Sequence, residues 1–238
     1  MTGGGDVAAP GAPAPGGCVV RAVFWDLDDT VLDTLAGRVE ALAGAYEECL
    51  GTRPDALALW REHSGRTLEE LGRELLGDDG PLFVESYRRR YYAREVPLQP
   101  FPGIVETLDA LAAEGLELAV VTSKATWGAT GELTRAGLLD RFAAVVGWHD
   151  SVRHKPDPEP LLVALDRLRI DDPGAVAYVG DTPSDIRAAR AAGCRAVGAT
   201  WAALDARRVR AERPDLLAHR PADVLAWVRR AEAAARGD

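Results

Sequence analysis

Short apolar runs rich in β-branched and aromatic residues punctuate this chain, and between them apolar residues recur at every third or fourth position. Residues 19–25 (VVRAVFW), 116–121 (LELAVV), 143–147 (AAVVG), 175–180 (AVAYVG) and 195–200 (RAVGAT) are the apolar runs. Their length and composition predict buried strands. Between them, Ile104, Leu108, Leu111 and Ala112 keep helical spacing up to Gly115, and Leu161, Leu162, Leu165 and Leu168 do the same. Residues 183–192 are Ala-rich and stop at Gly193. Strands that alternate with helices of this length predict an α/β fold, with a Rossmann-like parallel sheet covered on both faces. Ligands bind such sheets at the carboxyl ends of the strands. Asp26, Thr122 and Asp181 follow directly on strand runs, and Asp28 stands two residues after Asp26.

Residues 35–98 break the alternation. They hold no convincing strand, only helical patterns: Val39, Leu42, Ala43 and Tyr46; Leu57 and Trp60; Leu68, Leu71 and Leu75; Phe83, Tyr87 and Tyr91. Thr67 and Glu70 have the spacing of a capping box at the third of these. The pattern predicts an all-helical domain inserted at 35–98 into a core made of 18–34 and 99–238. Residues 1–17 are dominated by Gly, Ala and Pro and predict a disordered tail.

Composition narrows the function. The net charge of -9 argues against nucleic acid as a partner, since phosphate backbones attract basic surfaces. No stretch approaches the ~18 apolar residues of a membrane span, and the amino terminus lacks the basic start and apolar run of a signal peptide. Cys18, Cys49 and Cys194 are sparse and show no metal-ligand spacing, which fits a reducing cytoplasm. Only Lys124 and Lys155 among the 28 basic residues are lysines. Codon bias with a chance survivor accounts for Lys124; Lys155, before a proline-rich turn, is the one we single out.

Asp26-Leu27-Asp28 can bring two carboxylates to one crevice, one to attack phosphorus and the other to protonate a leaving group and then activate water. The plainer alternative is a pair of turn carboxylates at the sheet edge. Gly180-Asp181-Thr182-Pro183-Ser184-Asp185 delivers a further carboxylate to that edge, with Asp185 near a helix start, where the dipole alone would favour it. Mg²⁺ takes one or two carboxylates together with waters and phosphate oxygens, and Asp26 and Asp181 would serve, with Asp185 holding a water. Phosphoryl transfer also needs hydrogen-bond donors and positive charge on the transferring oxygens. The Thr122 hydroxyl, the N–H groups of Ser123 and Lys124, and the Lys155 ammonium are the candidates.

The ordered set Asp26-x-Asp28-x-Thr30, Thr122, Lys155 and Gly180-Asp181-x3-Asp185 resembles the haloacid dehalogenase superfamily of phosphohydrolases, over nearly all of residues 19–230. The resemblance implies Asp26 as nucleophile and Asp28 as acid/base. It implies Thr122 and Lys155 as phosphate binders, and Mg²⁺ held by Asp26, Asp181, Asp185 and the Asp28 main-chain carbonyl. Where the family often has Gly after the second Asp, this chain has Asp29, a residue that tolerates unusual turn backbones.

Within the superfamily, Asp28 is what dehalogenating members lack, and the lysine-free segment 35–98 lacks the Schiff-base lysine of the phosphonate-cleaving branch. Mutases similar to β-phosphoglucomutase carry a histidine early in the cap, and residues 35–39 have none. His63 lies further on and reads as a solvated or capping residue. The chain most resembles the phosphoglycolate phosphatase-like group, which has a helical cap after the first motif. The expectation is a cytoplasmic Mg²⁺-dependent phosphatase, monomeric or homodimeric, acting on a small phosphorylated metabolite, phosphoglycolate-like or a sugar phosphate. Arg66, in a turn of the cap, is the candidate for a substrate's second anionic group. A phosphomutase, or a binding module without catalysis, are the alternatives.

Overall fold

The computed structural model describes residues 19–63, 67–93 and 98–236. The expected tail, 1–17, and the cap candidate Arg66 lie outside them.

Six parallel strands form the central sheet: β1 (Ala22–Trp25), β4 (Glu117–Val121), β5 (Ala144–Val146), β6 (Val176–Gly180), β7 (Arg195–Ala199) and β8 (Leu216–Ala218), in the order β5-β4-β1-β6-β7-β8. Five answer to the apolar runs. The sixth, β8, is only three residues long and follows an Arg- and Glu-rich stretch, so no run marks it.

Alternation across the pleat divides the core in two. Val23 and Trp25, Leu118 and Val120, and Ala177 and Val179 face one layer, with helices α5 (Ile104–Ala113) and α10 (Pro221–Arg236). Phe24, Ala119, Val121 and Tyr178 face the other, with α7 (Glu159–Leu168) and α8 (Pro183–Ala191). Helices α6 (Thr126–Arg135) and α9 (Ala206–Ala211) complete the layers. Both faces are therefore covered, which is why these strands read as continuous apolar runs and not as alternating ones.

Helices α1 (Leu35–Leu50), α2 (Ala56–Glu62), α3 (Leu68–Leu76) and α4 (Gly80–Tyr92) occupy the segment after the first strand. They bury a core of their own, with Leu42, Leu71, Phe83, Tyr87 and Tyr91 at its centre. The capping box at Thr67 and Glu70 is formed, with each side chain bonding the other residue's N–H, at 3.1 Å and 2.8 Å. A two-residue antiparallel pair that the sequence reading missed, β2 (Leu32–Asp33) with β3 (Gln99–Pro100), ties the chain's entry to these helices to its exit. No helix among the described residues is long and apolar enough to cross a membrane, and Cys49 and Cys194 are free thiols.

Candidate active site

Three strands end at one edge and hand their next residues to a single cavity. β1 pairs in register with β4 and β6 on either side, with Trp25 opposite Val120 and Val179. Asp26, Thr122 and Asp181 are consequently brought together, each buried. The cavity is about 90 Å³. It is lined from the sheet edge by Asp26, Asp28, Asp29, Thr122, Ser123, Lys155, Asp181, Thr182, Ser184 and Asp185, and from the helical segment by Arg38, Trp60, His63, Thr67, Leu68 and Leu71.

Lys155 is the hub of the wall below. Its ammonium donates to Asp26 Oδ1 at 2.7 Å, to Asp185 Oδ1 at 2.6 Å and to the Tyr178 hydroxyl at 2.9 Å. Tyr178 in turn donates to the Val121 carbonyl at 2.8 Å. Burial opposes a charge on Lys155, but Asp185 and Asp26 outweigh it and hold the ammonium protonated. Asp185 sits in the first turn of α8 and forms a capping box with Thr182, whose hydroxyl lies 2.6 Å from Asp185 Oδ2. Its helix-start role and its place in the site thus hold together. Gly180 makes room for this packing, because a Cβ there would come within 2.4 Å of the Asp185 side chain.

Asp26, Asp181 and Asp185 each present a carboxylate oxygen within 4.8 Å of the others'. Asp181 accepts a hydrogen bond from the Thr30 hydroxyl at 3.3 Å. Burial, reinforced by Asp185, Asp26 and Asp29, pushes the Asp181 carboxyl well above the usual range. Burial likewise raises Asp26 to about 7, with Lys155 pulling the other way. Three buried carboxylates with one lysine among them form a site that favours a further cation. The Ser184 hydroxyl, buried without a hydrogen-bond partner, lines the same cavity.

Asp28 is held apart from this cluster. Its Oδ1 accepts from the Thr34 hydroxyl at 2.6 Å and lies 2.9 Å from the Lys124 ammonium. Burial would raise its pKa, but Lys124, Arg38 and the Thr34 hydrogen bond prevail and hold it at about 2. Lys124 corrects our reading of it as a chance survivor. Its side chain is only 9% exposed, and it pairs with Asp28 and, at 2.5 Å, with Glu132, which is wholly buried. Its main-chain N–H, expected to face a phosphate, instead donates to the Thr122 hydroxyl at 3.2 Å.

His63 keeps one of its expected roles. It is the C-cap residue of α2, as one of the expected roles had it, but its side chain is only 11% exposed and lines the cavity. Solvation is excluded. Asp29, at the position where glycine is common, adopts a left-handed backbone with φ 60°. Its Oδ1 accepts from the Thr34 N–H at 3.3 Å and its Oδ2 pairs with Arg38. Arg38, Trp60 and Tyr178 were not singled out as site residues from the sequence. Arg38 stands nine positions after Asp29, which is no helical repeat, so periodicity gives no sign of the pair.

A family model described as haloacid dehalogenase-like hydrolase matches residues 23–199. A phosphoglycolate phosphatase from Nitrosospira multiformis is 38% identical over 187 residues, 73% of this chain and 80% of its own. Another from Escherichia coli O157:H7 is 32% identical over 231 residues, covering 87% of this chain and 91% of its own. Among solved structures, a haloacid dehalogenase-like family hydrolase from Streptococcus pneumoniae superposes with a TM-score of 0.76 at 29% identity, over 87% of this chain and 98% of that one.

Proposed function

The chain belongs to the haloacid dehalogenase-like hydrolase family, as a phosphatase of its phosphoglycolate phosphatase-like group, and from that premise we propose that it uses Mg²⁺ and an aspartyl phosphate on Asp26 to hydrolyse a small phosphorylated metabolite in the cytoplasm. The observation that carries the reading is the buried cluster of Asp26, Asp181 and Asp185 around Lys155, at the carboxyl end of the central strand. Helices 35–98 act in this reading as a cap domain over a core made of 18–34 and 99–238.

In the first step an Asp26 carboxylate oxygen bonds to phosphorus as the P–O bond to the leaving group breaks, and Asp28 gives its proton to the departing alkoxide. In the second, water attacks the same phosphorus while Asp28 takes its proton, and the Asp26–phosphorus bond breaks to free phosphate. Lys155, held by three partners, orients Asp26 and supplies positive charge beside the transferring oxygens, with the Thr122 hydroxyl and the Ser123 N–H as further donors. Asp28 is ionised in its contact with Lys124 and Thr34, the form the second step requires; the first requires that this grip loosen.

The residues suit Mg²⁺, a hard cation that takes one or two carboxylates together with waters and phosphate oxygens. Asp26 and Asp181 would hold it directly, with the Asp28 main-chain carbonyl, while Asp185, engaged by Lys155 and Thr182, would hold it through water. When bound, the ion neutralises charge on the transferring phosphoryl group. Purified protein should release phosphate from an aryl phosphate with Mg²⁺ and lose this activity in EDTA, and Asp26→Asn should abolish it. Turnover that persists in Asp26→Asn would refute the mechanism.

A further inference from the structure

A fourth strand also ends at this edge of the sheet. β7 runs parallel to β6, with Gly198 opposite Gly180, so the residues after Ala199 emerge beside those after Gly180. They are Thr200 and Trp201, and Leu204, three positions further on, lines the cavity. Thr200 is anchored to β8, since its N–H and its hydroxyl each donate to the Ala218 carbonyl at 2.9 Å. Trp201 therefore leaves a fixed base, and its ring packs against the core layer of α5 and α10.

The Trp201 indole N–H donates to the Thr30 carbonyl at 3.0 Å, across 171 positions of sequence. Thr30 is wholly buried and belongs to the turn that follows Asp26. That turn is closed from inside by the Val31 and Leu32 N–H groups, both on the Leu27 carbonyl at 2.9 Å. The bond from Trp201 ties it from outside. A buried carbonyl requires a donor, and tryptophan supplies one on an apolar ring, which phenylalanine would not.

The other polar group of Thr30 serves the acidic cluster. Its hydroxyl donates to Asp181 Oδ1 at 3.3 Å, and Asp181 presents a carboxylate oxygen within 4.8 Å of those on Asp26 and Asp185. A continuous path thus runs from β8 through Thr200, Trp201 and Thr30 to Asp181. Packing alone would account for an apolar ring at position 201. It leaves unexplained why that ring is tied to a residue that itself bonds Asp181.

Hydrogen-bond partners of metal ligands orient them and so tune affinity. We propose that Trp201 is a positioning residue for the divalent cation: through the Thr30 carbonyl it fixes the hydroxyl that orients Asp181, and so sets how tightly the chain holds Mg²⁺. The proposal rests on the Mg²⁺-dependent phosphatase reading above. Trp201→Phe removes the N–H and keeps an aromatic ring, and the direct readout is the Mg²⁺ Kd of the substrate-free chain by calorimetry. Thr30→Val should raise that Kd by about 10- to 100-fold, the range for losing a partner that bonds a metal ligand. Trp201→Phe acts one contact further away and should raise it by about 3- to 10-fold, below that range. Thermal melts give a second readout, in which Mg²⁺ raises the Tm of Trp201→Phe by less than that of wild type. The kcat of this variant on an aryl phosphate should return close to the wild-type value once Mg²⁺ saturates. Added to Thr30→Val, the Trp201→Phe change should have little further effect on Kd, because both act on one path. A merely structural tryptophan would lower Tm equally with and without Mg²⁺, leave Kd unchanged, or add its full effect to that of Thr30→Val; any of these would overturn the proposal. Unchanged Mg²⁺ affinity in Thr30→Val would do so whatever Trp201→Phe does. Each of these leaves the phosphatase reading standing, whereas a wild type that neither binds Mg²⁺ nor hydrolyses an aryl phosphate ends both.

Discussion

Asp181→Asn should make the metal-free protein more stable and remove its response to Mg²⁺. Asp181 is buried within 4.8 Å of carboxylate oxygens on Asp26 and Asp185, and the Thr30 hydroxyl is its hydrogen-bond donor at 3.3 Å. At an effective dielectric of about 20, two unit charges 4.8 Å apart repel by ~3.5 kcal/mol. Asp181 meets two such neighbours, while Lys155, between Asp26 and Asp185, cancels part of their field. Protonation offers partial escape, so the net gain from the neutral amide is about 1–3 kcal/mol, or roughly 2–12 °C in Tm for a chain of this size.

The sign follows from the direction of the shifts. Asp181 and Asp26 both have folded pKa values above the ordinary value of 3.8, Asp26 at about 7. Such groups contribute stability in full below pH 3.8 and lose it as pH rises through the folded value. In EDTA, these two groups should therefore lower wild-type stability from pH 5 to pH 7, and Asp181→Asn should flatten that slope. Millimolar Mg²⁺ should restore wild type at pH 7, by ~2.7 kcal/mol if the ion is at a hundred times its Kd, and leave the variant nearly unmoved. Thermal melts at both pH values, with EDTA and with Mg²⁺, decide the matter. A variant less stable than wild type in EDTA at pH 7, or equally stabilised by Mg²⁺, would refute the reasoning.

Two further substitutions probe the supports of the site. Lys124→Met strands the buried Asp28 and Glu132 carboxylates, so about 3–5 kcal/mol should be lost at pH 7; their pKa values then lie above the unfolded ones, and urea melts at pH 5 should show a smaller deficit. A deficit of equal size at both pH values would mean that packing, not charge, is what Lys124 supplies. Gly180→Ala drives a methyl to within 2.4 Å of the Asp185 side chain and should cost about 1–3 kcal/mol. Its effect on kcat should exceed that of a surface Gly→Ala change, because Asp185 must move away from Lys155; unchanged kinetics would show the contact to be slack.

Residues whose role follows from where a strand ends were legible from the sequence, and residues whose role depends on a distant partner were not. Asp26, Thr122 and Asp181 each close a buried apolar run, and parallel strands in register must deliver them to one edge. Lys155 was found by its rarity and its proline-rich turn. Lys124 shares that rarity but lies in a loop with no sign that Asp28 and Glu132 await it. Glu132 reads as an ordinary polar position on α6, yet it is fully buried, because the ammonium above it replaces water. Arg38 and Asp29 are separated by a strand turn and a helix start. Even the glycine-to-aspartate departure, noticed from the sequence, had no visible reason without the arginine.

Thr34 shows why such couplings resist a one-dimensional reading. It stands at the N-cap of α1, where a threonine hydroxyl ordinarily accepts from its own helix. Here it makes no such bond and donates instead to Asp28 at 2.6 Å, while its N–H turns to Asp29. The two carboxylates after Asp26 therefore organise the start of α1, and Arg38, one turn further along, returns to Asp29. A displacement of α1 would strain the same contacts that keep Asp28 ionised and Arg38 paired with Asp29. The surroundings of Asp28 and the position of Arg38 are thus linked through Thr34 and Asp29, a link that glycine at position 29 could not make.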